Sequence, residues 1–273
     1  MPLPMALFTG GTPAPAFDTA TLYGALGSLG LTGNLVYCLD AADSASYGGS
    51  GQTFTDLSGN GNSFYLGAGS GSESTDPTFN GTAGNKSSSE YFSTDGGDYF
   101  TLATTNPASV DNIHKDSAKW TWLAWWYAKT SGSAQAMFAT TDNSGTGIQA
   151  YSIGGANTIT FYIQNAGSTV LNATQSTALT DSAWHMLAIS MDEAAATGFF
   201  WRNSGTDGTF TSTYSSPSSG AATYTLQQWA RNGAVFPASG WRFGASALWS
   251  GTALTTTNLG DIRTLFSNPR YGV

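Results

Sequence analysis

Three glutamates, Glu73, Glu90 and Glu193, stand in a chain of 273 residues that carries 17 acidic and nine basic side chains. Acid–base cleavage of a glycosidic bond needs two carboxyl groups at a set distance across one cleft. On a strand, two side chains share a face only at alternate positions. None of the three glutamates has a second acid two or four residues away. Asp192 and Glu193 are adjacent, so in a strand they would face opposite sides. A serine nucleophile would need a histidine base and a strained elbow of the G-x-S-x-G type. No such elbow occurs, and the histidines are His114 and His185 alone. His185 lies in the stretch "AWHMLAISMD", and a structural histidine is the plainer reading of it. Cys38 is the sole cysteine, which excludes an internal disulfide and a thiolate metal cluster. No catalytic residue is predicted, and the chain reads as a non-enzyme.

Binding chemistry is better represented. Calcium takes carboxylate, amide and carbonyl oxygens, and Asp95, Asp98, Asp142 and Asn143 lie in turn-like sequence that could offer them. No dense D-x-D-x-D run accompanies them, and turn formation explains them without a metal, so no cofactor is expected. Sugar recognition stacks aromatic faces on the apolar faces of the ring while amides and hydroxyls fix orientation. The chain has nine Trp, twelve Tyr and fifteen Phe. Trp125, Tyr127, Tyr151, Tyr162, Trp201, Trp229 and Trp241 are more aromatics than one core needs. Each alone reads as a core residue; the set predicts a glycan-binding face. A net charge of −8 without a basic cluster argues against nucleic acid and against anionic membranes.

These side chains need elements to hold them. Charged residues make up only 10% of the chain, and Gly, Ser, Thr, Ala and Asn fill the gap. Uncharged polar surface with abundant aromatics suits β-structure. "NLVYCLDA" is a short apolar strand. "EYFSTDGGDYFTLA" pairs two aromatic runs across Asp95-Gly96-Gly97-Asp98, a hairpin signal. In "KWTWLAWWYAKT", Trp120, Trp122, Ala124 and Trp126 point one way, and Thr121, Leu123, Trp125 and Tyr127 the other. Large residues on both sides predict a strand buried on both faces, or on one face with the second left for binding. "AMFATT", "IQAYSIGG", "TITFYIQNAG", "TVLNATQ", "AWHMLAISMD", "TGFFWRN" and "RFGASALW" follow at the short intervals of a sandwich or barrel. Near the end, Leu259, Ile262, Leu265 and Phe266 fall on one face of a short helix, with Thr256 or Thr257 as N-cap and Pro269 beyond its end.

Residues 1–33 differ in composition. They are rich in Pro, Gly, Ala, Thr and Leu, with Asp18 their only charge. Leu22, Leu26 and Leu29 suggest a short helix, weakened by Gly24, Gly27 and Gly30. The segment reads as an arm packing its apolar residues Leu3, Leu7, Phe8, Phe17, Leu22 and Leu26 on another protein, or else as a solvated terminus. It lacks the charged and apolar regions of a secretory signal, so synthesis in a cytoplasm is expected. No apolar run approaches the length that spans a membrane.

"LVYCLDAADSASYGGSGQTFTDLSGNGNSFYL" is the most specific stretch. Asp56 can accept hydrogen bonds from nearby backbone N–H groups, and Gly59 and Gly61 can take positive φ. Asn60 and Asn62 tolerate left-handed geometry, while Phe54, Leu57, Phe64 and Tyr65 anchor the turn. It reads as a fold signature rather than a site. With "GDYFTLA", "WTWLAWWYA", "AWHMLAISMD" and "ALTTTNLGDIRTLFSNPRYG", it resembles the laminin G-like or concanavalin A-like jelly roll, the lectin–glucanase fold, in the version found in bacteriophage structural proteins. The resemblance spans residues 34–273 and leaves the arm outside. It departs at Arg202-Asn203, where relatives have an Asp-Gly turn.

The resemblance implies an all-β, two-sheet antiparallel sandwich with a short C-terminal helix, preceded by the arm at residues 1–33. It implies a virion protein made in the bacterial host's cytoplasm, on a capsid or a tail, joined to other virion proteins through the arm. Such a protein would be a homo-oligomer whose sandwich touches surface glycans. A freestanding carbohydrate-binding module and a glycan hydrolase are the alternatives; the missing carboxylate pair opposes the second.

Overall fold

A computed structural model describes residues 17–152, 154 and 157–273. After a first helix, α1 (Leu22–Ser28), the chain forms short strands: β1 (Leu35–Asp40), β2 (Thr53–Phe54), β3 (Phe64–Leu66), β4 (Thr78–Asn80), β5 (Tyr91–Ser93) and β6 (Phe100–Leu102). A turn of helix, α2 (Ala108–Asp111), leads to β7 (Lys119–Ala128), β8 (Gln135–Ala139), β9 (Gly147–Ser152), β10 (Ile159–Asn165) and β11 (Ser168–Thr174). Then come β12 (Ala183–Asp192), β13 (Thr197–Arg202), β14 (Gly205–Phe210), β15 (Gln227–Gln228) and β16 (Arg242–Ser250), and finally α3 (Thr256–Ile262). The strands make two antiparallel sheets. One runs β14-β13-β12-β7-β16-β5-β4, with β1 also on β16; the other runs β11-β10-β9-β8-β15-β6-β3-β2. This is the expected β-sandwich.

The first sheet is covered on both sides along most of β7, the first of the two arrangements that its alternation left open. Trp120, Trp122, Ala124 and Trp126 join the core between the sheets, where Trp122 stacks on Phe138 of the opposite sheet with centroids 4.8 Å apart. Leu123 and Trp125 face outward into a second hydrophobic cluster with Leu22 and Leu26 of α1 and Leu259, Ile262 and Phe266 of the C-terminal helical segment. The indole N–H of Trp125 donates to Ser267 Oγ at 2.8 Å, and that of Trp249 to the carbonyl of Leu31. The expectation for the arm therefore changes at two positions. Leu22 and Leu26 are fully buried against this chain's own sheet and cannot insert into a partner. Phe17 is 54% exposed. Leu3, Leu7 and Phe8 lie outside the described residues.

Three other expectations change. Asp95-Gly96-Gly97-Asp98 is not a hairpin turn: β5 lies in one sheet and β6 in the other. The connection arches between layers because Phe92 and Phe100 meet across the interior, edge to face at 5.2 Å. Thr255, not Thr256 or Thr257, caps α3, in a reciprocal box with Asn258. Pro269 does not follow the helix end. It lies in the first turn of α4 (Asn268–Tyr271), which continues α3 through a π turn at Arg263–Ser267.

The glycine-rich signature acts as a clamp on β1. Asp56 Oδ1 accepts from the backbone N–H of Cys38 at 2.9 Å and of Ser58 at 2.8 Å, and Oδ2 from that of Asn62 at 3.0 Å. Asn60 and Asn62 donate side-chain N–H to the carbonyls of Leu35 and Val36 at 2.6 and 2.7 Å. Cys38 is fully buried in the second cluster.

A second clamp joins the two ends of the described chain. Asp40, fully buried at the end of β1, pairs through Oδ1 with Arg270 Nη1 at 2.5 Å. Its Oδ2 accepts from the N–H of Leu22 in α1 at 2.9 Å. Arg270 Nη2 donates to the carbonyl of Ala20, and its guanidinium lies 4.4 Å over the ring of Phe266. Asp40→Ala leaves Arg270 buried without its counter-charge, a loss that costs about 3–5 kcal/mol in comparable sites. Urea denaturation is expected to show a loss of that order. The apolar double change Asp40→Leu with Arg270→Met is expected to cost less than either single change, because it removes both desolvated charges. Equal stability of Asp40→Ala and the native chain would remove the clamp from the account.

Candidate functional site

The outer face of the second sheet is polar where the first sheet's is apolar. Antiparallel register sets one row of side chains across it: Thr53, Tyr65, Thr101, Gln227, Ala139, Gln149, Tyr162 and Asn172 are successive cross-strand partners. None belongs to either hydrophobic cluster. Alternation explains why: Ile148 and Ala150, or Phe161 and Ile163, point into the core, so Gln149, Tyr151, Thr160 and Tyr162 point out.

Tyr151 and Tyr162 meet on this face. They occupy neighbouring strands on a diagonal, with centroids 5.6 Å apart and planes 14° from parallel. Both are half-buried. Partial burial pushes the Tyr151 hydroxyl up to about 12, and the neighbouring Tyr162 acts in the same direction. The Tyr151 hydroxyl therefore stays a neutral donor and acceptor at physiological pH.

A ring of amides and one cation adjoins the pair. Gln149 Nε2 donates to Gln164 Oε1 at 2.8 Å and to Asn143 Oδ1 at 3.1 Å. Arg231 Nη1 donates to Gln149 Oε1 and to Asn143 Oδ1, each at 3.1 Å. Gln149 is 1% exposed and Gln164 5%. Buried polar groups satisfied this fully hold each other rigid, and the rigid amides fix the guanidinium, whose charge favours the ionised form of the Tyr151 hydroxyl nearby. The site thus combines a paired aromatic surface with preset donors and acceptors, and it holds no carboxyl group among these six side chains. The types match the sugar-recognition pattern of apolar ring faces against aromatics.

Of the seven aromatics expected to bind glycans, Tyr151 and Tyr162 come together here. Tyr127 is half-buried on the outer face of the first sheet. The other four are corrected: Trp125, Trp229 and Trp241 are fully buried and Trp201 is 6% exposed. Trp229 and Trp241 fill the interior around Trp126, at 6.2 and 5.7 Å. Trp125 and Trp201 lie under the cover formed by α1 and the C-terminal helices. None can stack on a sugar without unfolding its surroundings. Sequence reasoning missed Gln149, Gln164 and Arg231. Gln149 and Gln164 were visible as polar residues in phase with Tyr151 and Tyr162; nothing local pointed to Arg231, which arrives from a distant loop.

The oxygen ligands proposed for calcium do not gather. Among the described residues no three His, Cys, Asp or Glu side chains approach as a metal site would require. Asp142 Oδ1 accepts from the N–H groups of Ser144 and Gly145 and from Ser144 Oγ, and its Oδ2 from the Tyr224 hydroxyl. Those donors hold its carboxyl below the usual range. Asn143 is committed to Gln149 and Arg231. Asp95 is exposed, while Asp98 is 3% exposed and accepts from the Asp95 N–H at 2.9 Å. His114 and His185 are buried, each with Nε2 against a backbone carbonyl, of Gly220 at 3.2 Å and of Thr180 at 3.0 Å. Burial lowers the pKa of both. Glu90 accepts from the Ser87 N–H and hydroxyl and Glu193 from the Ser117 N–H, with no second acid beside either in those contacts.

No protein-family model and no curated protein matches this chain. Solved structures do. One, described as "Cell entry of botulinum neurotoxin type C is dependent upon interaction with two ganglioside molecules", superposes with a TM-score of 0.61 at 10% identity, over 87% of this chain and 53% of that one. A botulinum neurotoxin serotype D binding domain gives 0.57 at 10%, over 88% and 52%. A botulinum neurotoxin DC binding domain in complex with rat synaptotagmin II gives 0.56 at 12%, over 88% and 52%. The chain spans about half the length of these structures. The likeness shows the fold alone: a two-sheet antiparallel β-sandwich of the jelly-roll kind.

Burial raises Asp98 to about 6, from an ordinary 3.8. The folded state therefore binds its proton more tightly than the unfolded chain does. Its contribution to stability is greatest at pH below about 4 and is lost as pH rises through about 6. Asp98→Asn abolishes the titration. Chemical denaturation from pH 3 to 8 is expected to show the variant gaining on the native chain across that window, by about 1–3 kcal/mol, with a flat difference above it. A gap independent of pH would mean that Asp98 titrates normally.

Proposed function

We propose that the chain is a non-enzymatic, lectin-like module that binds glycans on the outer face of its second sheet, and that it is displayed on a bacteriophage virion, on a capsid or a tail. One observation carries the binding reading: Tyr151 and Tyr162 lie ring against ring beside an Arg231 fixed by buried amides, on a face that the fold leaves polar. Rigid aromatics with preset hydrogen-bonding groups cost little entropy to engage. The ganglioside interaction named for the type C neurotoxin supports the reading at the level of the fold. Against hydrolysis stands the scattering of the carboxyl groups.

The virion reading rests on the opening signature and its resemblance to phage versions of this sandwich. Burial of Leu22 and Leu26 moves any tether to other virion proteins toward residues ahead of α1. Symmetric copies on a particle would present many weak sites together, and avidity then compensates for low single-site affinity.

A glycan array probed with the native chain and with the Tyr151→Ala, Tyr162→Ala double variant tests the first part. The native chain is expected to give signals that the variant loses by about tenfold or more, the scale of truncating two contact aromatics. Its thermal unfolding should confirm that the sandwich persists. Unchanged array signals would end the assignment to this face. Immunogold microscopy of particles with the chain labelled tests the second part; label absent from every particle would end the virion reading.

A further inference from the structure

The opposite side of the sandwich carries a second, differently built site. At the start of β16, Arg242 lies in register with Tyr127 of β7 and Ser93 of β5, and Tyr127 with Trp184 of β12. The guanidinium carbon of Arg242 is 4.2 Å from the centroid of Tyr127 and 4.6 Å from that of Tyr91. Trp184 turns an edge-to-face contact to each of those tyrosines, at 5.8 and 6.2 Å, and packs on Tyr271 at 4.6 Å. All four side chains, Tyr91, Tyr127, Trp184 and Arg242, are half-buried. This is where the outer face of the first sheet emerges from beneath its helical cover.

What distinguishes Arg242 is how it is held, between two tyrosine rings and with no carboxylate beside it among the described residues. Lys86, Lys119, Arg202 and Arg270 each pair with an aspartate. Arg242 has neither a carboxylate nor a hydrogen-bond acceptor for its guanidinium among the described residues and is held by rings alone. Cation–π contact fixes the plane of the guanidinium without consuming its N–H donors. A fixed fork of donors at the protein surface matches a carboxylate in bidentate fashion. Beside it, Trp184 is the only one of nine tryptophans that is not buried, and it offers an apolar surface next to the charge.

We infer that this frame is a second binding site, specific for an acidic sugar: the carboxylate pairs with Arg242 while the apolar ring face rests on Trp184. The carboxylate sets it apart from the face around Tyr151, and its existence does not depend on that face.

Titration calorimetry with trigalacturonic acid and with sialyllactose, each against its neutral counterpart (the galacturonate methyl ester and lactose), tests this. At least one anionic probe is expected to bind the native chain at least about tenfold more tightly than its neutral counterpart. It should also shield tryptophan emission from acrylamide, through Trp184. Arg242→Gln and Arg242→Lys are both expected to lose that preference, since an ammonium cannot supply the planar fork. The Tyr151→Ala, Tyr162→Ala variant should keep it, which separates this site from the first. Equal binding of acid and neutral probes, or no binding of either acid, would overturn the inference. So would an acid preference that survives Arg242→Gln in a folded variant.

Discussion

Everything on the first sheet depends on covering β7 twice. A strand with Trp120, Trp122 and Trp126 on one side and Leu123 and Trp125 on the other cannot leave either side in water. The second sheet covers the inner side. The outer side is covered by two pieces far apart in sequence, α1 and the segment from α3 to Tyr271. The seven-residue α1 is too short to be stable alone. Their joint is the buried Asp40–Arg270 pair, which also ties the backbone of Ala20 and Leu22 to the last turn of the chain. Removing two charges from water is expensive. The arrangement persists because each carboxylate oxygen has a donor and because the pair sits where three elements converge. Such a pair specifies which ends meet more than it adds net stability.

This asymmetry decides where ligands can reach. The first sheet spends the middle of its outer face on α1 and the C-terminal helices, and the margin around Trp184 and Arg242 is among the parts that remain open. The second sheet has a largely polar outer row, buried at Ala139 and Gln149 in its middle and partly open at Tyr65, Thr101, Gln227 and Tyr162. Its inward residues still supply one half of the core, including Phe64, Phe100, Phe138, Ile148 and Phe161. A period of two thus separates scaffold from surface residue by residue on that sheet, as it cannot on the other.

The same physics explains what the sequence made legible. Strand identity, the sandwich and the clamp at Asp56 follow from alternation and turn chemistry, which are local. The choice of binding aromatics does not. In β9 and β10, polar and tyrosine residues alternate with apolar ones, so the phase of the strand separates Tyr151 and Tyr162 from the core residues. In β7 both phases are aromatic, and no local rule says that Trp125 is covered while Tyr127, two residues on, emerges at the rim. That depends on where a helix from the other end of the chain stops. The hairpin expected at residues 95–98 fails for a related reason. Two aromatic runs joined by Asp-Gly-Gly-Asp satisfy the signal for adjacent strands, but Phe92 and Phe100 gain more by facing each other across the core than by lying side by side.

Two arginines illustrate how one charge can be prepared in opposite ways. Arg231 is held by acceptors: Gln149 and Asn143 take donors from one of its nitrogens and leave less for a ligand. That suits a hydroxyl-rich partner, which shares hydrogen bonds with amides and tyrosines without demanding full charge neutralisation. Arg242 is held by rings, which restrict its motion and take none of its donors. In a chain of net charge −8, a cation kept free of the many available carboxylates costs the fold a potential ion pair. Surface pairs contribute little to stability, so the cost is small, while a preoriented fork is worth most to an incoming anion that meets no competing internal partner. Neutral and acidic recognition can therefore reside on opposite faces of one sandwich, each face set by what surrounds its guanidinium rather than by the guanidinium itself.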